Sequence, residues 1–208
     1  MFIEAIDKLR CVRDHEDSWL VAKFVEMQER DFREGELGCP VCEARYPVRN
    51  GVVYFSPMRP RAARETIAGQ SPDDLFALAA MLDLSAPDRT IVLCDGWTGF
   101  AQELSRISEP HVFVVNSDVT YGPSECIYEV VSNAGIPLAA ASADAVALDA
   151  SASRELVQSA VKVLREGGRL VGTVGLDVPA EVLLLASDDK HWVARKQADF
   201  IPLRRASR

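Results

Sequence analysis

Cys39-Pro40-Val41-Cys42 sets two thiols two residues apart, a spacing at which one tight turn can offer both to a single metal ion. Upstream, Cys11 and His15 in Cys11-Val12-Arg13-Asp14-His15 supply a second pair. Thiolate and imidazole are ligands zinc takes readily, and four of them fill its tetrahedral shell. A filled shell leaves no position for water or substrate. The chemistry predicted for Cys11, His15, Cys39 and Cys42 is therefore structural: a Zn2+ ion tying two stretches of chain together. Asp14 is the rival for the fourth position, and His15 is preferred because imidazole suits zinc better. Two other readings stand beside this one. In one, Cys39 and Cys42 are a redox pair, although no βαβ pattern surrounds them; in the other, Cys11 is a buried thiol and His15 a surface residue.

Such a site needs small strands to hold it. Tyr46-Pro47-Val48-Arg49-Asn50-Gly51-Val52-Val53-Tyr54 reads as a hairpin, because Asn-Gly supplies the two positive-φ residues of a type I′ turn. A strand is expected over Trp19 to Met27, followed by a polar turn. Ser56-Pro57-Met58-Arg59-Pro60-Arg61 then marks a change to linker composition. Ser71-Pro72-Asp73-Asp74 has the pattern of a helix start, with Leu75, Leu78, Ala79 and Leu82 at helical spacing behind it. Beyond it the chain alternates. Strands are predicted at Thr90 to Cys94, His111 to Val115 and Asp144 to Asp149, with a shorter, ambiguous one at Tyr128 to Val131. Helices are predicted from Phe100 to Ile107 and from a Ser153 cap to Leu164, stopped by Gly167-Gly168 before a strand at Arg169 to Val174. His191 to Lys196 and Phe200 to Leu203 would add an antiparallel pair. Alternating strands and helices imply an α/β, Rossmann-like, mostly parallel sheet. The expected organisation is a small β zinc ribbon at 1–57, a linker at 58–71 and the Rossmann-like domain at 72–208.

Composition narrows the function. A hydrophobic fraction of 48% supports real cores in a chain of 208 residues. No apolar run reaches the roughly 18 residues of a membrane span. The N-terminus has no basic region or signal core, which points to the cytoplasm. Of five cysteines, three suit zinc and Cys94 and Cys126 remain as expected buried thiols of a reducing compartment. A net charge of −8 disfavours direct nucleic-acid binding. The basic cluster Arg195, Lys196, Arg204, Arg205 and Arg208 reads as a solvated tail.

Two resemblances add to this. Leu9-Arg10-Cys11, Cys39-Pro40-Val41-Cys42 and Tyr46-Pro47-Val48-Arg49-Asn50-Gly51-Val52 make residues 2–55 similar to the small zinc-binding activator proteins (Trm type) that partner methyltransferases. The family commonly has Cys-x2-Cys at its first knuckle, where His15 would substitute here. Residues 72–208 resemble class I S-adenosylmethionine (SAM)-dependent methyltransferases. Ile136-Pro137-Leu138 through Asp144-Ala145-Val146 is similar to the segment leading into that family's fourth strand, and Val163-Leu164-Arg165-Glu166-Gly167-Gly168-Arg169-Leu170-Val171 to the turn before its fifth.

The second resemblance implies a cofactor loop at Asp95-Gly96-Trp97-Thr98-Gly99, and there the family pattern is eroded. Leu93 stands in place of an acid. Asp95 and Trp97 stand at the first two glycine positions of G-x-G-x-G, and only Gly99 matches. Asn116 and Asn133 fall where the family has acids facing ribose and adenine; an amide accepts a hydrogen bond but carries no charge. Asp95, Gly96, Trp97, Gly99, Asn116 and Asn133 thus form a degenerate SAM site. The expectation is a non-catalytic scaffold or regulatory subunit that works with another protein, with Trp97 and the basic end as candidate contacts. The alternative is a divergent SAM-dependent methyltransferase with a reshaped pocket.

Overall fold

The computed structural model describes residues 1–57 and 72–198. The expected linker at 58–71, the Ser71 cap, the strand at Phe200 to Leu203 and the cluster's Arg204, Arg205 and Arg208 lie outside the described residues.

Four antiparallel strands open the chain: β1 (Val21–Gln28), β2 (Asp31–Gly38), β3 (Arg45–Arg49) and β4 (Val52–Tyr54). The turn between β3 and β4 is the expected one. Asn50 and Gly51 both take positive φ (50° and 78°), and Arg49 pairs directly with Val52. The expected polar turn follows β1 at Glu29-Arg30, and beyond it lies a strand the sequence reading passed over, β2. Its sequence, Asp-Phe-Arg-Glu-Gly-Glu-Leu-Gly, has weak strand propensity of its own and is held by neighbours on both sides.

The α/β part follows: α1 (Pro72–Met81), β5 (Thr90–Cys94), a 3-10 turn over Asp95–Phe100, α2 (Ala101–Ser108), β6 (His111–Val115), β7 (Ile127–Val131), β8 (Ala143–Leu148), α3 (Arg154–Val163), β9 (Leu164–Thr173), β10 (Val182–Ser187) and β11 (His191–Lys196). The α/β, Rossmann-like fold expected from the sequence is the one observed. All strands join one sheet in the order β1-β2-β3-β4-β7-β6-β5-β8-β9-β11-β10. Strands β4 to β9 run parallel, and β11 enters antiparallel between β9 and β10. The ribbon is thus continuous with the sheet: β4 pairs with β7 through Val53–Val130 and Tyr54–Val131, and the Phe55 amide donates to the Val131 carbonyl (2.8 Å).

Three expectations are corrected. The partner of His191–Lys196 within the last hairpin is β10, a strand the sequence reading passed over. The last helix ends at Val163, and Gly167 and Gly168 sit inside β9, at a register shift against β8. Strand–helix alternation is incomplete, because residues 116–126 and 132–142, which connect β6 to β7 and β7 to β8, contain no helix.

The missing helices explain how the halves are joined. One sheet face, with Ile91, Leu93, Val112 and Val114, is covered by α1, α2 and the 3-10 turn. The other, with Val92, Phe113, Val130 and Val146, packs on α3 and on residues of the N-terminal arm in one continuous core. Leu9 in that arm is 0% exposed and bridges Leu138. The Arg10 amide donates to the Pro137 carbonyl (2.9 Å) and the Ala139 amide to the Lys8 carbonyl (3.0 Å). The arm covers apolar surface that a crossover helix would otherwise cover. Strands β5 and β6 are almost wholly buried, as strands covered on both faces should be. No helix among the described residues is long and apolar enough to cross a membrane.

Candidate functional site

Two places concentrate chemistry. The first is where the arm meets the β2–β3 turn. After a 3-10 turn at Ile3–Lys8 the arm runs extended through Cys11, pinned by the Arg10–Trp19 bridge and by the Arg10 guanidinium 4.2 Å above the Trp19 ring. The β2–β3 turn closes through Glu43 N–H to Cys39 C=O (3.0 Å) and Cys39 N–H to Ala44 C=O (2.9 Å), with Glu43 left-handed at φ 57°. These two segments bring Cys11, His15, Cys39 and Cys42 together, with their four ligand atoms all within 4.8 Å of one another. Asp14 lies outside that group.

The spacing suits zinc. Zn–S and Zn–N bonds of about 2.3 and 2.05 Å in a tetrahedron place sulfurs about 3.8 Å apart and sulfur and nitrogen about 3.6 Å apart. Cys11 Sγ and Cys42 Sγ are separated by 3.6 Å, and Cys39 Sγ and His15 Nε2 by 3.4 Å. The His15 ring meets the Glu16 carbonyl through Nδ1 (2.6 Å), where only a protonated Nδ1 can donate; Nε2 is then left as the ligand atom of the neutral ring. Burial raises the Cys11 thiol, although Tyr46 and the Arg13 amide bond to its sulfur. At Cys42 burial also opposes ionisation, but the Ala44 amide and the neighbouring Cys11, Cys39 and His15 outweigh it and bring the thiol down to about 7. Both sulfurs therefore receive an amide from two residues downstream.

The second place is the carboxyl end of the sheet between β5 and β8. Strand order reverses there, and doubly wound folds bind ligands in the crevice such a reversal opens. Here the crevice is occupied by the chain itself. The 3-10 turn leaves β5 at Asp95 and carries Trp97 inward, 2% exposed. The indole donates through Nε1 to the Leu148 carbonyl at the end of β8 (2.9 Å) and lies against Phe100 and His191, with ring centroids at 6.0 and 5.2 Å. The Gly96 amide donates to the Asp149 carboxylate (3.0 Å), which also accepts from the Ser151 amide and hydroxyl (2.8 and 2.5 Å). The Thr98 hydroxyl donates to the Asp95 carbonyl, and the Tyr121 hydroxyl closes onto the Thr98 carbonyl. Gly96 and Gly99 do not take left-handed φ; the left-handed residue is Asp95, at φ 53°. Trp97 is therefore not available as a surface contact.

Asn116 ends β6 with left-handed φ (58°). Its amide nitrogen donates to the Ser132 carbonyl (2.8 Å) and its oxygen accepts the Ser132 amide (3.0 Å), extending the β6–β7 ladder by one side-chain rung. An aspartate could accept there but not donate. Asn133 is exposed, and its backbone amide donates to Ser56 Oγ (2.6 Å), so it braces the end of β4. Asp95, Gly96, Trp97 and Gly99 share one turn; Asn116 and Asn133 stand at the ends of β6 and β7 and bond to other backbone.

Among the remaining candidates, Ser153 caps α3 by accepting the Leu156 amide (3.2 Å). His111 meets the Tyr128 hydroxyl (2.9 Å) within the strand core. Cys94 is buried; Cys126 is only half-buried. The clamp role of Asp149 and the hydroxyl of Tyr46 were not legible in the sequence: Asp149 reads there as the end of a strand, and nothing in one dimension sets it opposite Gly96.

No protein-family model matches the chain, and no curated protein does. Solved structures give matches at low similarity. A sarcosine dimethylglycine methyltransferase assignment from Galdieria sulphuraria is 16% identical with a TM-score of 0.39, over 50% of this chain and 48% of that one. This chain thus spans about half the length of that protein. A protein from Methanococcus maripaludis assigned as a SAM-dependent methyltransferase is 11% identical with a TM-score of 0.44, over 62% and 86%. A chain in the complex of the Haloferax volcanii Trm112 methyltransferase activator with a methyltransferase is 14% identical with a TM-score of 0.38, over 55% and 62%.

Proposed function

We propose that this protein is a non-catalytic, zinc-binding, methyltransferase-like subunit that acts as a scaffold or regulatory partner of another protein. In this reading the ribbon at 1–57 and the Rossmann-like part from 72 onward work as one unit, with zinc fixing the arm to the ribbon and the arm completing the core. The observation that carries it is Trp97: its indole is bonded to β8 across the crevice where a nucleoside cofactor would lie. Asp149 ties the same two banks, and Asn116 is spent on Ser132. Asp95, Gly96, Trp97 and Gly99 thus fit a closed turn, and Asn116 and Asn133 fit strand-end bonds, better than they fit SAM. Exposed Trp19, Val21 and Val25, at or beside the edge strand β1, support a protein partner.

Isothermal titration of the zinc-loaded chain with SAM and with S-adenosylhomocysteine tests this; heat of binding at micromolar concentration would refute it. The alternative, a divergent methyltransferase, draws on one observation, the reversal of strand order between β5 and β8, where doubly wound folds bind ligands. It requires Trp97 to leave its pocket when cofactor enters, which the same titration would register.

A further inference from the structure

The metal centre has a buried neighbour that no ligand pattern points to. Tyr46 lies on β3, 4% exposed, with its ring against Phe55 at a centroid distance of 4.5 Å. Its hydroxyl oxygen is 2.9 Å from Cys11 Sγ. Either atom could be the donor while Cys11 keeps its proton. A metal-bound cysteine is a thiolate with no proton to give. With metal in place the bond therefore runs one way, from the Tyr46 O–H to Cys11 Sγ.

We propose that Tyr46 is a positioning residue of the metal centre, donating a hydrogen bond that fixes and stabilises the Cys11 thiolate as a ligand. This rests on the zinc reading above. Cys11 is the ligand that needs such help. Cys39 and Cys42 are set by one closed turn, whereas Cys11 arrives on an arm from outside the meander. A donor on β3 aligns that arm with the knuckle before and after metal enters. It also draws electron density from the sulfur, which makes the thiolate less reactive toward electrophiles. Outer-shell partners of this kind typically change metal affinity ten- to hundred-fold.

The test uses the full chain with Tyr46→Phe, which keeps the ring on Phe55 and removes only the hydroxyl. Zinc affinity, read by competition with a chromogenic chelator, is expected to fall about ten-fold. In the Co2+-loaded protein the thiolate-to-metal charge-transfer band is expected to move to lower energy. Alkylation by N-ethylmaleimide, read by peptide mass spectrometry, is expected to rise several-fold at Cys11 relative to Cys39 and Cys42. A ring serving only to pack would move none of these. A folded Tyr46→Phe chain with wild-type affinity, band position and Cys11 alkylation overturns the proposal. Should the variant fail to fold, the 113Cd-loaded wild-type chain decides: a Tyr46 hydroxyl proton coupled to 113Cd through sulfur supports it, and its absence overturns it. A wild-type chain that takes up no zinc fails the zinc reading itself, which the first titration reveals separately.

Discussion

The ribbon knuckle and the β5–β8 crevice both gather polar groups at the ends of strands, but they are built to opposite purposes. At the knuckle four donor atoms converge at metal-ligand spacing, and the surrounding amides and Tyr46 point at sulfur. At the crevice the polar groups have been used on one another: indole on carbonyl, amide on carboxylate, carboxamide on backbone. At the knuckle the convergence is of ligand atoms at a spacing that could hold an ion. At the crevice it is of donors with acceptors that already match them. It is the local bonding that tells the two regions apart.

The comparison breaks most readily at the knuckle. If zinc ties the arm to the ribbon, Cys39→Ser or chelation removes a link in a core that extends to β7 and α3. The expected loss is about 4 kcal/mol or more, on the order of 10 °C in Tm for a chain this size. Scanning calorimetry with and without chelator, alongside metal analysis for one zinc per chain, checks it. An unchanged Tm after complete metal removal would mean the two halves are held by the sheet and arm alone.

At the crevice the matching experiment is Trp97→Ala. Truncating a buried tryptophan typically costs about 3–5 kcal/mol, and the lost bond to Leu148 falls within that. SAM binding is expected to remain absent, because Leu93 and Asn116 still lack charge and Asn133 braces Ser56. Calorimetry gives the first quantity and titration the second. Cofactor binding that appears only in the variant would recast Trp97 as a plug over a working site.

Much of this contrast was legible in the residue types, and what was not is instructive. Asn50-Gly51, the Ser153 cap and the apolar runs at 90–94 and 111–115 declare themselves because their cause is local: a dihedral, a side-chain acceptor, burial on both faces. The four zinc-type residues could be picked out by spacing and ligand chemistry. Strand β2 was hidden because its charges and glycines are tolerated only between two partners. The lean of the arm on β6 to β8 was hidden for a related reason. Leu9 reads as one apolar residue in a short run, and only the absence of helices at 116–126 and 132–142 leaves a face for it to cover. Trp97 could be flagged as too large for a cofactor loop, but the carbonyl it bonds lies 51 residues away.

A sharper version of the same contrast is Asn116→Asp. It restores the acid that the methyltransferase resemblance expects, yet it removes the donor to the Ser132 carbonyl and sets a carboxylate beside that oxygen. An unmet buried acceptor costs about 1–3 kcal/mol. The expected outcome is lower stability with no gain of SAM affinity, measured by urea unfolding and titration. A stabilised variant, or one that binds, would show that the carboxamide is not placed for the ladder.

The smallest effect probes how the arm is anchored between the two regions. Asp17 accepts from Lys162 of α3 (3.0 Å) and from the Ala140 amide (3.4 Å). The Lys162 contact, ahead of the Ala140 bond, holds its carboxyl below the ordinary range although burial works the other way. A depressed carboxylate stabilises the fold above its unfolded value near 4 and loses that contribution as pH falls through the lower folded value. Both partners are more than a third exposed, so the pair is worth under about 1 kcal/mol. Asp17→Asn should therefore cost a few tenths of a kcal/mol at pH 7, and the difference from wild type should shrink as pH falls below the unfolded value near 4. Urea midpoints taken above and below that value read this directly. A variant gap that stays constant with pH would assign the anchor to the amide bond rather than to the charge, and the arm would then be held by backbone and apolar contacts alone.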